Sequence, residues 1–137
     1  MTPQDLADTH AAAFTQSRPW SVGEFADLLS NRFTHVVGHA QSFALFKVVA
    51  DEAELLTIAT HPSVQRQGLA RQCMWSWHAK AKSLGATRAF LDVAESNHPA
   101  IALYERCGYT PCGVRKNYYA IEKYRKTDAI IMELSLI

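Results

Sequence analysis

The residues with the clearest chemical potential lie in one string, Ala59-Thr60-His61-Pro62-Ser63-Val64-Gln65-Arg66-Gln67-Gly68-Leu69-Ala70-Arg71. A strand-like run ends there, a turn follows, and a helical pattern opens. The first N–H groups of a helix have no internal partners and point outward. The helix dipole favours an anion at that end by roughly 0.3–1 kcal/mol. Gly68 and Ala70 keep side-chain bulk away from those groups, and Arg66 and Arg71 can add charge-assisted contacts. The chemistry indicated is anion binding. The competing account is a glycine that only lets helix and strand pack tightly. A phosphate loop would need Gly-Lys-Ser/Thr and a dinucleotide fold Gly-x-Gly-x-x-Gly on its first strand, and both strings are absent.

Such a loop needs a strand ending at it and a helix leaving it. Leu69, Cys73, Trp77, Ala81 and Leu84 recur at spacings of four and three, which predicts a helix from near Gln67 to Leu84, closed by Gly85. Upstream, runs at Thr34–Gly38, Ser42–Val49 and Glu54–Ala59, with Asp51-Glu52 at the last turn, predict antiparallel strands. Downstream, Arg88–Val93 reads as a buried strand and Asn97–Arg106 as a short helix closed by Gly108. Tyr109–Tyr118 and Asp128–Leu136 read as strands around a charged loop, Glu122-Lys123-Tyr124-Arg125-Lys126.

Two helices precede all of this. Thr2 is placed to cap the first, with Pro3 at its first position and Leu6, His10, Ala13 and Phe14 on one face, before Ser17-Arg18-Pro19-Trp20 breaks it. Ser21 caps the second with Glu24 as its capping-box partner, and Phe25, Leu28 and Leu29 supply its apolar side. The strand–helix–strand unit from Leu55 to Val93 is a right-handed crossover by default. The expected architecture is α/β (α+β), with a mixed sheet in one domain over residues 1–137.

With 137 residues the chain has enough length for one core. A formal charge of +1 supplies no footprint for bulk nucleic-acid binding. Cys73, Cys107 and Cys112 are odd in number and lack Cys-x-x-Cys spacing, so they are expected as small buried apolar residues rather than a disulfide framework or zinc site. The histidines lack ligand spacing, and no metal is expected. No basic segment followed by an apolar run opens the chain, and no apolar run is long enough to span a bilayer. These features predict a cytoplasmic protein without membrane attachment.

The loop string resembles the acyl-CoA loop of the GNAT superfamily, and the resemblance covers nearly the whole chain. Pro19-Trp20-Ser21, Asp51-Glu52-Ala53, Glu95-Ser96-Asn97, Ala100-Ile101-Ala102-Leu103-Tyr104-Glu105, Arg115-Lys116-Asn117-Tyr118-Tyr119 and Asp128-Ala129-Ile130-Ile131-Met132 are similar to the bacterial ribosomal-protein alanine N-acetyltransferases, the RimI type. The resemblance implies a GNAT fold, a mostly antiparallel central sheet flanked by helices on both faces. GNAT chains usually open with a strand, and Met1-Thr2-Pro3 leaves no room for one, so either the sheet lacks that edge strand or the true start lies upstream.

It also implies acetyl-CoA as co-substrate. The backbone of Ile58-Ala59-Thr60 would pair with the pantetheine arm where two strands splay. Arg66, Gln67, Gly68, Leu69, Ala70 and Arg71 would hold the phosphates, and Asn97, otherwise a plain helix cap, would touch the cofactor. Tyr104 matches the family's general acid, and a phenol with a pKa of about 10 can protonate a leaving thiolate at neutral pH. On its own, a tyrosine on such a helix reads equally as core. The family's general base is a glutamate in Leu-Glu-Val; here the string is Leu91-Asp92-Val93, so Asp92 would act with shorter reach, through a water. A strand-end carboxylate with a structural role is the alternative, with Glu95 and then Glu54 as further candidates for the base. Trp20, Tyr118, Tyr119 and the Glu122–Lys126 loop would line the acceptor groove, although the family's proline after the two tyrosines is replaced by Ala120.

The implied acceptor is the N-terminal alanine of a small-subunit ribosomal protein, taken by a monomer or weak dimer. An α-amine with a pKa of about 7.7–8.0 demands less of a base than a lysine amine near 10.4. A GNAT enzyme for another amine, and a non-catalytic acyl-CoA-binding module, are the competing readings.

Overall fold

In the computed structural model, which describes residues 1–14, 18–122 and 125–137, both opening helices start where their caps place them. Thr2 Oγ1 accepts from the Asp5 N–H while the Asp5 carboxylate accepts from the Thr2 N–H, opening α1 (Pro3–Ala13). Ser21 and Glu24 make the same reciprocal pair for α2 (Val22–Ser30). Each box satisfies two donors that a first turn leaves over. The chain continues through β1 (Thr34–His39), β2 (Ser42–Val49), β3 (Glu52–Thr60), a 3-10 turn (Pro62–Val64), α3 (Leu69–Ser83), β4 (Arg88–Ala94), α4 (His98–Arg106), β5 (Thr110–Glu122) and β6 (Arg125–Ser135).

The described strands form one sheet in the order β1-β2-β3-β4-β6-β5. Only β3 and β4 pair in parallel. Alternation along β2 sends side chains to both faces. Phe43 and Leu45 meet Leu6 and Phe25 of α1 and α2, while Ala44, Phe46 and Val48 meet Met74 and Trp77 of α3. Helices therefore cover both faces, as the resemblance implies. No strand precedes α1 among the described residues, and β1 forms the edge.

Several boundaries differ from expectation for local reasons. α3 begins at Leu69, not Gln67, because Arg66 (φ 65°) and Gly68 (φ 78°) are left-handed. Leu84 is 40% exposed instead of joining the buried stripe. Its N–H is shared by the Lys80 and Ala81 carbonyls, and this tightened last turn rotates it outward. Met74 fills the buried face beside Cys73, Trp77 and Ala81. The β5–β6 ladder continues to Glu122↔Arg125, so most of the expected charged loop is strand; Lys123 and Tyr124 lie outside the described residues. Backbone pairing does not require apolar side chains, which is why a charge run misleads here. Of the cysteines expected to be buried, only Cys73 is; Cys107 is half-buried and Cys112 exposed.

Gly38, next to last in β1, takes φ +101°, and a Cβ there would overlap the Ser42 carbonyl oxygen and lie 2.9 Å from Phe43 Cα. Gly38→Ala is expected to destabilise the fold by about 3 kcal/mol, combining left-handed strain with overpacking; a urea midpoint within error of wild type would refute this.

Two desolvated histidines, His10 buried and His78 half-buried, make the fold acid-sensitive. His10 Nδ1 accepts the Trp20 N–H at 3.1 Å, and His78 Nε2 bonds the Tyr109 hydroxyl at 2.7 Å. Desolvation pulls both imidazoles down to about 4. The unfolded chain thus binds protons more readily below about pH 6.5. Stability is full above that pH and declines as pH falls toward 4, by roughly 1–3 kcal/mol per histidine. Chemical denaturation at pH 7 and pH 4.5 measures it, and replacing either histidine by glutamine should flatten the dependence.

Candidate active site

The parallel pair β3–β4 is joined only at one end, through Glu52↔Arg88, Ala53↔Ala89 and Glu54↔Phe90. Beyond that, β3 stays with β2 as far as Ser42↔Thr60, while β4 continues with β6 from Leu91↔Met132 to Ala94↔Ala129. The strands diverge, and the β4-facing edge of Leu55–Thr60 meets no strand among the described residues. A register shift at Leu45/Phe46, where Leu45 faces Thr57 and Phe46 faces Leu55, bends β3 where the gap opens. Ile58, Ala59 and Thr60 form the far end of this open edge.

The turn after Thr60 is built by short polar contacts. Gln65 Nε2 donates to the Thr60 carbonyl at 3.1 Å, and His61 Nδ1 accepts from the Ser63 N–H at 3.1 Å. Arg66 and Gly68 then turn the chain into α3. A Cβ on Gly68 would meet nothing within 4 Å. The tight-packing account is thereby overturned: glycine is demanded by the left-handed cap, and the space above it is open. No side chain caps α3, so the N–H groups of Leu69, Ala70 and Arg71 face that space unpaired within the helix. Arg66, Gln67 and Arg71 are exposed around it.

Asn97 Oδ1 caps α4, accepting from the Ala100 N–H at 3.3 Å. The cap reading is observed, and it leaves the amide Nδ2 as a donor. Tyr104, on α4, is buried in the cluster of Leu91 and Val93 on the α3 face. Burial first, then Tyr119 and Cys107, raises its phenol well above the ordinary range. Asp92 alternates with Leu91 and Val93 and points to the opposite face. Its carboxylate lines a cavity of about 620 Å³ with Lys47, Glu54, Phe90 and Arg115, beside the surface α1 and α2 leave uncovered. Arg115 Nε stands 3.5 Å from Asp92 Oδ2, whose side chain is 17% exposed.

Tyr119, on β5, is half-buried. Burial, then the Asp92 carboxylate, pushes its phenol up to about 12. Tyr118 is 53% exposed, edge-on to Tyr119, with the Arg115 guanidinium 5.5 Å from its ring. Trp20 is held by His10 and stacks on it at 5.1 Å, packed beside Phe25. Tyr119 thus stands within electrostatic reach of Asp92 on one face and of Tyr104 on the other, while Glu95 is exposed beyond β4 and bonds its N–H to the Asp128 carbonyl. Sequence reasoning missed the partners: Arg115 on Asp92, and His10 behind Trp20. Only the Arg115-Lys116-Asn117 string hinted at the first, and nothing local at the second. Among the described residues, no His, Cys, Asp and Glu group is placed to hold a metal, and no helix is long and apolar enough to cross a membrane.

A strand pair opening at its centre, with an uncapped helix N-terminus at its mouth, is the frame of an acyl-CoA-dependent transferase. Residues 4–109 match the acetyltransferase (GNAT) family. The chain is 38% identical over 140 residues to the ribosomal protein bS18 alanine N-acetyltransferase of Escherichia coli K12, covering 96% of this chain and 94% of that protein. A crystal structure of the S18-alanine N-acetyltransferase from Escherichia coli superposes with a TM-score of 0.86 at 32% identity, covering 98% of this chain and 87% of that one. Arabidopsis thaliana NAA60, solved in complex with acetyl-CoA, shares the fold with a TM-score of 0.81 at 16% identity, covering 98% and 95%. The chain belongs to the GNAT acetyltransferase family. It is an acyltransferase, and enzymes of this family use acetyl-CoA.

Proposed function

We propose that this chain, as a single domain, transfers the acetyl group of acetyl-CoA to the N-terminal α-amine of a protein in the cytoplasm, with a ribosomal protein beginning in alanine as acceptor. The observation that carries the reading is the β3–β4 gap, with Asp92 on one face and Tyr104 on the other. An amine entering from the cavity side can attack a thioester in the gap while the sulfur leaves on the α4 side. The relatives' acceptor, a ribosomal protein alanine, supports the substrate class.

In this reading the open edge at Ile58, Ala59 and Thr60 pairs with the pantetheine amides. The N–H groups of Leu69, Ala70 and Arg71, with Arg66 and Gln67 alongside, receive the pyrophosphate, and Asn97 contributes its amide. Asp92, directly or through a water, accepts the proton the amine loses as its nitrogen bonds the carbonyl carbon. Tyr104 supplies a proton to the sulfur as the C–S bond breaks. Tyr119, Tyr118 and Trp20 border the peptide. Burial that raises Tyr104 raises the enclosed thiol too, so the phenol remains a workable donor to it.

The test is mass spectrometry of an alanine-starting ribosomal-type peptide incubated with acetyl-CoA, beside the same peptide blocked at its α-amine and carrying a free lysine. Acetylation of the first alone is expected. Modification of lysine alone, or of neither peptide, would overturn the proposed acceptor.

A further inference from the structure

The outward face of α3 carries one residue that the fold does not use. Cys73, Met74, Trp77 and Ala81 bury the inner face, yet Trp75 stands 60% exposed. An indole is a large apolar surface to leave in water, and tryptophan is enriched where a partner covers it. Four residues earlier, in the first turn, Arg71 holds its guanidinium 6.0 Å from the Trp75 ring centroid. Positions four apart lie one above the other on a helix. Arg71 and Trp75 therefore form a short stripe climbing from the open N-terminus of α3, and at 1.5 Å per residue the indole's backbone sits about 9 Å beyond Leu69. The Arg71 charge is also felt by Cys107 at the end of α4, which places Arg71 on the α4 side of the helix.

What would occupy this stripe follows from what lies at its foot, and the inference rests on the acyl-CoA reading above. With the pyrophosphate at the helix N-terminus, the next part of the molecule is an adenosine bearing a 3′-phosphate. Its purine offers a flat face of the kind that stacks on indole. Its phosphate offers oxygens of the kind a guanidinium pairs with. Apolar plate and cation stand in the same order as purine and phosphates must follow the pyrophosphate. We infer that Arg71 and Trp75 form the seat for the 3′-phosphoadenosine end of acyl-CoA, and that this seat makes the chain selective for CoA thioesters over acyl carriers lacking the nucleotide.

Calorimetric titration of the whole chain with CoA, dephospho-CoA and 4′-phosphopantetheine tests the seat. Trp75→Ala should weaken CoA binding by about tenfold, as expected for one lost stacking contact, leave 4′-phosphopantetheine binding unchanged, and be largely rescued by Trp75→Phe. Arg71→Ala should erase most of the preference for CoA over dephospho-CoA. The side chain at 75 is exposed, so an unchanged urea midpoint is expected alongside. Equal weakening of CoA and 4′-phosphopantetheine by Trp75→Ala would overturn the inference, as would no change in either. Failure of the unaltered chain to bind CoA would overturn the acyl-CoA reading itself, a result distinct from both.

Discussion

Asp92→Ala is expected to lower kcat/KM for α-amine acetylation by roughly 10²–10³ at pH 7, the usual contribution of a positioned general base. Affinity for CoA should not change, because the carboxylate faces the cavity on the far side of the gap from α4. The size of the loss should depend on pH. An α-amine with a pKa of about 7.7–8.0 is increasingly neutral above pH 8 and then needs less help, so the defect should shrink in alkaline buffer. Asp92→Glu restores the family's side chain at this position and should retain activity. The ion pair with Arg115 contributes little to the expectation, since Arg115 is 53% exposed and such pairs are worth about 0–1 kcal/mol. A loss confined to KM would instead make Asp92 an acceptor-binding group. Full activity in Asp92→Ala would return the base to Glu54, which lines the same cavity.

Tyr104→Phe should lower kcat by roughly 10²-fold, the low end of general acid catalysis, with KM for acetyl-CoA nearly unchanged. The ring is buried against Leu91 and Val93 and edge-on to Tyr109 at 6.1 Å. Phenylalanine keeps that packing and removes only the hydroxyl. Burial keeps the phenol protonated throughout the working range, so no alkaline fall in kcat from loss of this proton is expected below pH 9. A thioester with a more acidic leaving thiol needs less protonation, and the variant should recover part of its rate with one. An unchanged kcat in Tyr104→Phe would reduce this residue to core.

Much of the frame was open to inspection in the linear chain because its signals are local. Thr2-Pro3 and Ser21-x-x-Glu24 start helices by bonds spanning three residues, and the Ser42–Val49 strand is bounded by turns on both sides. Gly68 in its string marked the mouth of the site, though for a different reason than side-chain bulk: the left-handed cap is invisible in composition and appears only as a dihedral angle. The resemblance of the Asn97–Glu105 and Arg115–Tyr119 strings supplied the family, which is a matter of order along the chain.

Tertiary structure alone decided the rest, because it depends on which strands stop pairing and where side chains from distant elements meet. The β3–β4 ladder ends after Glu54↔Phe90, and no pattern within either strand announces that. Asp92 and Tyr104 sit on opposite faces of the sheet only because β4 alternates while α4 packs on one side. Arg115 reaches Asp92 across a neighbouring strand, and His10 anchors Trp20 through a backbone bond ten residues away. The sequence by itself determined the elements, their caps and the family; the gap, its two faces and the partners of its charged groups arise from long-range pairing, which couples residues no local period connects.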